Sequence, residues 1–278
     1  MFEERSLSPA VDAVRAEHAP ETLVFDVDRD FETVPPAQAE SLGLFVESLE
    51  PARYPSAWLP ADAPHLLARY AGSDFTIGMP GDGSVVWTRQ TSPPVLLVKA
   101  RVQGAPESFI DFLLAEALVQ VGLEVPEHFL GFFEDSYRDL DAAVPLDPNA
   151  TYQIAAALYD GWVGLQTGPI FAGWDDDHPE LAAAWHDAGS RLEGRLSGLP
   201  GAVARGETDF ADATELACAA IKHASDHDYD NGHDQPLELP APFAALQTGA
   251  YRDHGPAYAI RWAEKTFRAL EDTDSSGS

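Results

Sequence analysis

Residues 74–121 read DFTIGMPGDGSVVWTRQTSPPVLLVKARVQGAPESFIDFLLAEALVQV, and this stretch decides the fold of the first half of the chain. Three short runs, at 75–79, 85–88 and 95–102, are rich in β-branched, aromatic or alternating apolar residues, as strands are. Proline and glycine turn residues separate the runs. The stretch therefore predicts an antiparallel meander of three strands over residues 74–102.

A helix is predicted to follow the meander. Pro106 suits the start of a helix, and the carboxylate of Glu107 lies near the positive helix end. Apolar side chains then recur at the i, i+3, i+4, i+7 spacing of a single helix face, namely Ile110, Leu113, Leu114, Ala117, Leu118 and Val121. Since a helix with such a face needs an apolar surface to cover, we expect it to cover the sheet as a second layer.

The rest of the chain is mainly helical in pattern. Thr22 to Val27 is β-branched and apolar and predicts one more strand, whereas from Asp147 onward only helical spacing occurs. The sequence thus predicts a helix-dominated α+β protein. Its expected domains are an α+β half over residues 1–140, a helical half over 141–270 and a disordered polar tail over 271–278.

The charge of the chain is unusually negative. It contains 46 acidic and 17 basic residues, a formal net charge of −29, and only Lys99, Lys222 and Lys265 are lysines. At roughly 1 M salt the Debye length falls to about 3 Å, which screens most of the resulting self-repulsion. Abundant carboxylates and scarce lysine together are typical of a cytoplasmic protein of a halophilic archaeon. The alternative is an acidic protein of a non-halophile.

Composition also argues against several classes of partner. Nucleic acids and anionic membrane surfaces attract basic proteins, and this chain is acidic. No apolar run approaches the ~20 residues of a membrane span, and the N-terminus lacks a signal-peptide pattern. Cys218 is the only cysteine, so neither an intrachain disulfide nor a cysteine-rich metal site is expected.

Arg89, Lys99 and Arg101 are the candidate binding residues. Lys99 and Arg101 share one face of the third predicted strand, and Arg89 lies on the neighbouring strand. Three nearby cations in a lysine-poor chain suit an anionic small molecule. The commoner explanation is that each of them pairs with one of the many carboxylates.

Two further features are weaker candidates. Residues 225–235, SDHDYDNGHDQ, place aspartates at alternate positions as a calcium loop does, but Asn231 and Leu237 stand where glycine and glutamate are required. We therefore expect a solvated acidic loop, with no metal and no cofactor. Asp160 interrupts an apolar helix, where a buried carboxylate would be a general acid or base. However, it shares a stripe with small and polar residues, which fits a close helix contact or a solvent-facing surface.

Three stretches resemble an uncharacterised family of haloarchaeal proteins with a domain of unknown function. They are FTIGMPGDGSVVWTRQTSPP at 75–94, TYQIAAALYDGWVGLQTG at 151–168 and RWAEKTF at 261–267. The resemblance covers most of the chain and implies a haloarchaeal cytoplasmic protein. It implies no activity and no site residue.

Two functional hypotheses follow from the sequence. The sequence contains no GxSxG, HExxH, P-loop or GxGxxG motif, and it is rich in tryptophan. The first hypothesis is a non-catalytic cytoplasmic protein that binds a protein partner or self-associates through an apolar surface patch. The second is an enzyme or sensor that acts on an anionic small molecule through Arg89, Lys99 and Arg101.

Overall fold

A computed structural model describes residues 2–34, 36–71, 77–78, 83–102, 104–223 and 239–276. The predicted α+β class is confirmed, with a small sheet in the first half and helices in the second. The chain divides into two compact units. Unit 1 comprises Met1–Tyr54, Arg69–Glu127 and Trp174–Ala184, and unit 2 comprises Pro55–Ala68, His128–Gly173 and Trp185–Ser278. A domain boundary near residue 140 stays a prediction.

The elements are numbered in chain order. The strands are β1 (Phe2–Glu4), β2 (Leu23–Val27), β3 (Ser48–Leu49), β4 (Val85–Thr88), β5 (Thr91–Ser92) and β6 (Val95–Val98). The helices are α1 (Pro9–His18), α2 (Pro36–Leu42), α3 (His65–Tyr70), α4 (Glu107–Gly122), α5 (Phe129–Phe133), α6 (Tyr137–Ala143), α7 (Pro148–Ala172), α8 (Trp174–Asp177), α9 (Pro179–Ala204), α10 (Phe210–Ile221) and α11 (Gly249–Ser276). A disordered tail was predicted over residues 271–278, but α11 continues to Ser276 and includes most of that segment.

The main sheet has the strand order β1-β2-β6-β4, and it differs in one respect from the prediction. β4 pairs with β6 in antiparallel orientation, as expected. β6, however, also pairs in parallel with β2, so the sheet is mixed and not a wholly antiparallel meander. The first predicted strand lies mostly outside the described residues, and Ile77 and Gly78 are not in a strand. The third ends at Val98, because a 3₁₀ turn takes up Ala100–Val102.

The two faces of this sheet are both covered. One face packs on a buried apolar cluster that consists of Phe2, Phe25, Val27, Phe31, Val34, Ala39, Leu42, Ile77, Val86, Val95 and Leu97. The other face contacts α4, the helix predicted to cover the sheet. There Trp87 donates its indole N–H to Gln120 of α4 at 2.7 Å. The predicted two-layer packing of helix on sheet is therefore present within unit 1.

In unit 2, α7 is the long apolar helix expected after residue 147. The Asp147 carboxylate caps its first turn by accepting the backbone N–H groups of Asn149 and Ala150, as the Asp-Pro pair predicts. α10 packs closely along α7. Glycines make this approach possible, since a Cβ on Gly164 would lie 3.0 Å from the backbone nitrogen of Lys222. Thus the small residues of the α7 stripe belong to a helix contact, whereas Asp160 of the same stripe is exposed.

Candidate functional site

Lys99 follows β6 and is buried, with a relative exposure of 1%. It continues the alternation of Val95 and Leu97, so its side chain enters the face of the sheet that holds the apolar cluster. Its ammonium nitrogen lies 5.0 Å from the ring centroid of Phe31, within cation–π range. Lys99 is thus placed beneath the sheet surface, not on an open cationic face.

Arg101 and Arg89 are each engaged elsewhere. The Nε of Arg101 donates to both carboxylate oxygens of Asp30 at 2.9 Å. The guanidinium of Arg89 donates to the carbonyl oxygens of Glu124 and Val125, at 3.0 and 2.9 Å, just beyond the end of α4. Each arginine therefore binds an acceptor of its own, and a shared anion site stays a prediction.

Glu127 is the centre of a polar cluster that sequence reasoning missed. Its carboxylate accepts the hydroxyl of Thr88 at 3.0 Å, the backbone N–H of Arg89 at 2.5 Å and the side-chain amide of Gln90 at 2.9 Å. Gln90 in turn accepts the backbone N–H of Ala52 at 2.7 Å. These bonds tie the residues after α4 to the β4–β5 connection and to the segment before Tyr54.

The titration of this cluster is perturbed by its burial. Burial raises the pKa of Glu127, and the hydrogen bonds from Gln90, Arg89 and Thr88 oppose that rise. Burial and the nearby Glu127 carboxylate both raise the pKa of the Tyr54 phenol. Perturbed pKa values occur at catalytic sites and also in structural networks. Three donors already occupy the Glu127 carboxylate, so the geometry is that of a structural clamp.

Asp160 and Cys218 lie near each other in unit 2, but in different environments. Asp160 is exposed, which agrees with the solvent-facing alternative and not with a buried general acid. Cys218 is buried where α10 meets α7, and a Cβ on Gly161 would lie 3.2 Å from its sulfur. Burial and the Asp160 charge raise the pKa of the thiol. Since a nucleophilic cysteine needs a lowered pKa and access, Cys218 has neither property.

The histidines have structural surroundings. His128 is buried, and its Nδ1 accepts the backbone N–H of Leu130 at 2.8 Å, which caps α5. His223 stacks on Trp185, with the ring centroids 5.7 Å apart. Burial is the largest cause that lowers the pKa of each imidazole to about 3.

Metal ligands do not cluster in the part of the chain that the structure describes. No group of three or more histidine, cysteine, aspartate or glutamate side chains there is arranged to hold a metal ion. The segment 225–235, which carries the calcium-like spacing, lies outside the described residues. The prediction that it binds no metal is therefore untested.

An exposed apolar surface lies at the β1 edge of the main sheet. Leu44 is 85% exposed and Phe45 is 47% exposed, directly after the end of α2. The Phe45 ring contacts the buried rings of Phe2 and Phe25, with centroids 6.5 and 5.1 Å apart. We call the exposed Leu44 and Phe45, together with the buried Phe2 ring that Phe45 contacts, the edge patch. It is continuous with the apolar core of unit 1, so its exposure is not that of an isolated side chain.

Sequence comparison assigns the chain to a family but not to a function. The chain belongs to a family of unknown function (DUF7089), whose model matches residues 1–270. No curated protein and no solved structure shows significant similarity to it. Among the described helices, none is both long and apolar enough to cross a membrane. Family membership brings no activity and no site residue to the chain.

Proposed function

We propose that this is a non-catalytic cytoplasmic protein of a halophilic archaeon that binds a protein partner or self-associates. The observation that supports this most is the edge patch. Leu44 leaves 85% of its surface in water, and the next residue, Phe45, is half exposed although its ring packs on the core. An exposed apolar side chain that extends the core to the surface is common where another protein binds.

The binding proposal is tested with a photoreactive amino acid at position 44. Leu270 is a matched control, because it is a leucine of unit 2 with 44% exposure. We expect covalent capture of one defined protein, or of a second copy, from position 44 and not from position 270. Mass spectrometry identifies the captured chain, and light scattering in about 1 M KCl reports self-association. Equal capture from both positions, or none from position 44, would contradict the proposal.

The compartment proposal rests on charge. A net charge of −29 with three lysines among 17 basic residues favours a cytoplasm rich in salt. We expect the unfolding midpoint to rise steeply from dilute buffer to about 1 M KCl, where the Debye length falls to about 3 Å. If choline chloride raises the unfolding midpoint as much as KCl does over the same concentrations, screening of the charges is the cause. A chain that is equally stable without salt would contradict the halophilic assignment.

The contacts of the three candidate cations favour this proposal over the small-molecule alternative. Arg101 and Arg89 bind separate acceptors, and Lys99 is buried. The alternative nevertheless makes a distinct prediction, namely that phosphate or a nucleotide raises the thermal midpoint. That rise would be abolished in Lys99→Ala and Arg101→Ala. Its absence in the unmodified protein would end the alternative.

A further inference from the structure

The backbone of β1 has one edge directed away from the sheet. β1 pairs with β2 in antiparallel register, with Glu3 opposite Asp26 and Glu4 opposite Phe25. The Arg5 N–H bonds to the Val24 carbonyl, and hydrogen-bonded pairs alternate along an antiparallel ladder. Glu3 therefore bonds toward β2, whereas the N–H and C=O of Glu4 point outward. No other strand of the described chain pairs with β1 on that side.

The side chains beside this edge form an apolar anchor. Residues opposite each other in a ladder share a face, so Phe2 and Glu4 lie on the face that holds Phe25. Phe45 packs on Phe2 and Phe25 from the same face, and the exposed Leu44 directly precedes Phe45 in the chain. An added strand would thus find backbone partners at Glu4 and apolar contact at the edge patch. These are the two requirements of recognition by strand addition.

The two chain segments that carry the edge patch are acidic, which favours a basic partner. Residues 31–52 contain four glutamates and no lysine, arginine or histidine. Glu3 and Glu4 are exposed on the edge strand itself. The neighbouring Arg5 is already bound to Asp26 and Glu107, at 2.8 and 2.9 Å. We propose, on the basis of the binding function above, that the edge patch takes an extended amphipathic segment of another protein. That segment alternates apolar residues with lysine or arginine and adds as a strand beside β1.

A second copy of this chain fits the same edge poorly. Antiparallel self-pairing of β1 would place the glutamates of one copy against those of the other, and like charges opposite each other destabilise a ladder. Charged residues on an edge strand are also a common protection against self-pairing. A basic segment, in contrast, meets Glu4 with opposite charge.

The experiment uses the full chain and a synthetic peptide of about six residues, a typical strand length, that alternates leucine with lysine. A peptide with glutamate in place of lysine is the matched control. Fluorescence anisotropy measures binding in about 0.2 M and about 1 M KCl, where the Debye lengths are about 7 and 3 Å. We expect the lysine peptide to bind. We expect the glutamate peptide to bind about tenfold more weakly at the lower salt.

Three variants separate the contributions of backbone pairing, apolar contact and charge to binding of the peptide. Glu4→Pro removes an N–H that points away from β2, so β1 keeps its own ladder but loses a donor that an added strand would use, and proline is tolerated on edge strands. Leu44→Ser removes the anchor without adding a charge, and Glu4→Gln removes one charge. We expect Glu4→Pro and Leu44→Ser each to weaken the lysine peptide at least about tenfold, and Glu4→Gln about threefold. Circular dichroism and the unfolding midpoint check that each variant is folded, and Leu44→Ser tests the site if Glu4→Pro is not.

The remaining outcomes are equally decisive. Equal binding of the two peptides would overturn the basic partner, and full binding to Glu4→Pro would overturn strand addition. Self-association that Glu4→Pro abolishes would identify a second copy as the occupant and overturn the inference. If neither peptide binds while position 44 still captures a defined partner, the inference fails and the proposed function stands.

Discussion

The indole N–H of Trp162 donates a hydrogen bond to the carbonyl oxygen of Arg252 at 3.0 Å. In an uninterrupted helix that carbonyl would accept the backbone N–H four residues later, which is position 256. Position 256 is a proline and has no N–H. A tryptophan of α7 thus supplies the donor that the sequence of α11 removes.

Trp162→Phe is expected to lower the free energy of unfolding by about 1–2 kcal/mol, because it removes this donor and part of the packed ring. Chemical denaturation in KCl measures the change. Gln166→Ala is the control, since its amide is 3.5 Å from the same oxygen and is a poor donor at that distance. A control variant as unstable as Trp162→Phe would show that the indole bond is not the important contact.

Gly255 makes the break in α11 that precedes the proline. Its φ of 43° and ψ of −119° lie in a region that side-chain-bearing residues rarely adopt. An added Cβ would also lie 3.2 Å from the ring of Phe132. We expect Gly255→Ala to cost about 1–3 kcal/mol of unfolding free energy. Unchanged stability in thermal and urea unfolding would show that the helix can continue through this residue.

Local patterns predicted the elements well and their partners poorly. The cap Asp147 and the apolar face of α4 are local signals, and both appear in the structure. The parallel pairing of β2 with β6 joins Phe25 to Leu97, and no periodicity links positions so far apart. The same limit applies to Glu127, whose donors at Thr88 and Gln90 are distant in the chain. Nor does exposure follow from composition, since only the fold distinguishes Leu44 from the buried leucines.

The contact between α7 and α10 depends on glycines of α7. A Cβ on Gly161 would lie 2.9 Å from Ile221, and one on Gly164 would lie 3.0 Å from the Lys222 backbone nitrogen. We expect Gly164→Ala to destabilise the protein by about 1–3 kcal/mol, because a backbone cannot yield as a side chain can. We expect Gly161→Ala to cost less, since it meets the end of a flexible side chain.

Gly194 of α9 is the matched control for these substitutions. It is also inside a helix, but an added Cβ there meets nothing within 4 Å. Gly194→Ala should therefore stabilise the protein by about 0.5–1 kcal/mol through helix propensity alone. Opposite signs for Gly164→Ala and Gly194→Ala in one denaturation series support the close helix contact. The same sign at both sites would refute it.

His128 predicts acid sensitivity. Burial lowers the pKa of its imidazole to about 3, whereas in the unfolded chain a histidine has a pKa of about 6.5. Below pH 6.5 the unfolded chain binds a proton that the folded protein does not, so stability falls as the pH falls toward 3. The full slope for one such group is about 1.4 kcal/mol per pH unit.

His128→Asn tests this origin, because asparagine can still cap α5 but does not titrate. We expect the variant to lose less unfolding free energy than the unmodified protein between pH 6 and pH 5, by about 1 kcal/mol. Denaturation curves at the two pH values in constant KCl measure the difference. Parallel losses in both proteins would mean that other groups cause the acid sensitivity.

Cys218 predicts that the free energy of unfolding falls at alkaline pH. Its folded pKa is raised, first by burial and then by the charge of Asp160, whereas an unfolded thiol has a pKa of about 8.5. Above pH 8.5 the unfolded chain releases a proton that the folded protein retains, so stability falls as the pH rises. Cys218→Ala removes this titration and should flatten the profile between pH 8.5 and pH 9.5, although the lost sulfur lowers stability at every pH.

The buried thiol should also resist alkylation until the chain unfolds, with a rate that follows the denaturant midpoint. Rapid alkylation of the folded protein at neutral pH would instead show that α10 opens from α7 without global unfolding, and equal pH profiles of Cys218→Ala and the unmodified protein would contradict the predicted slope.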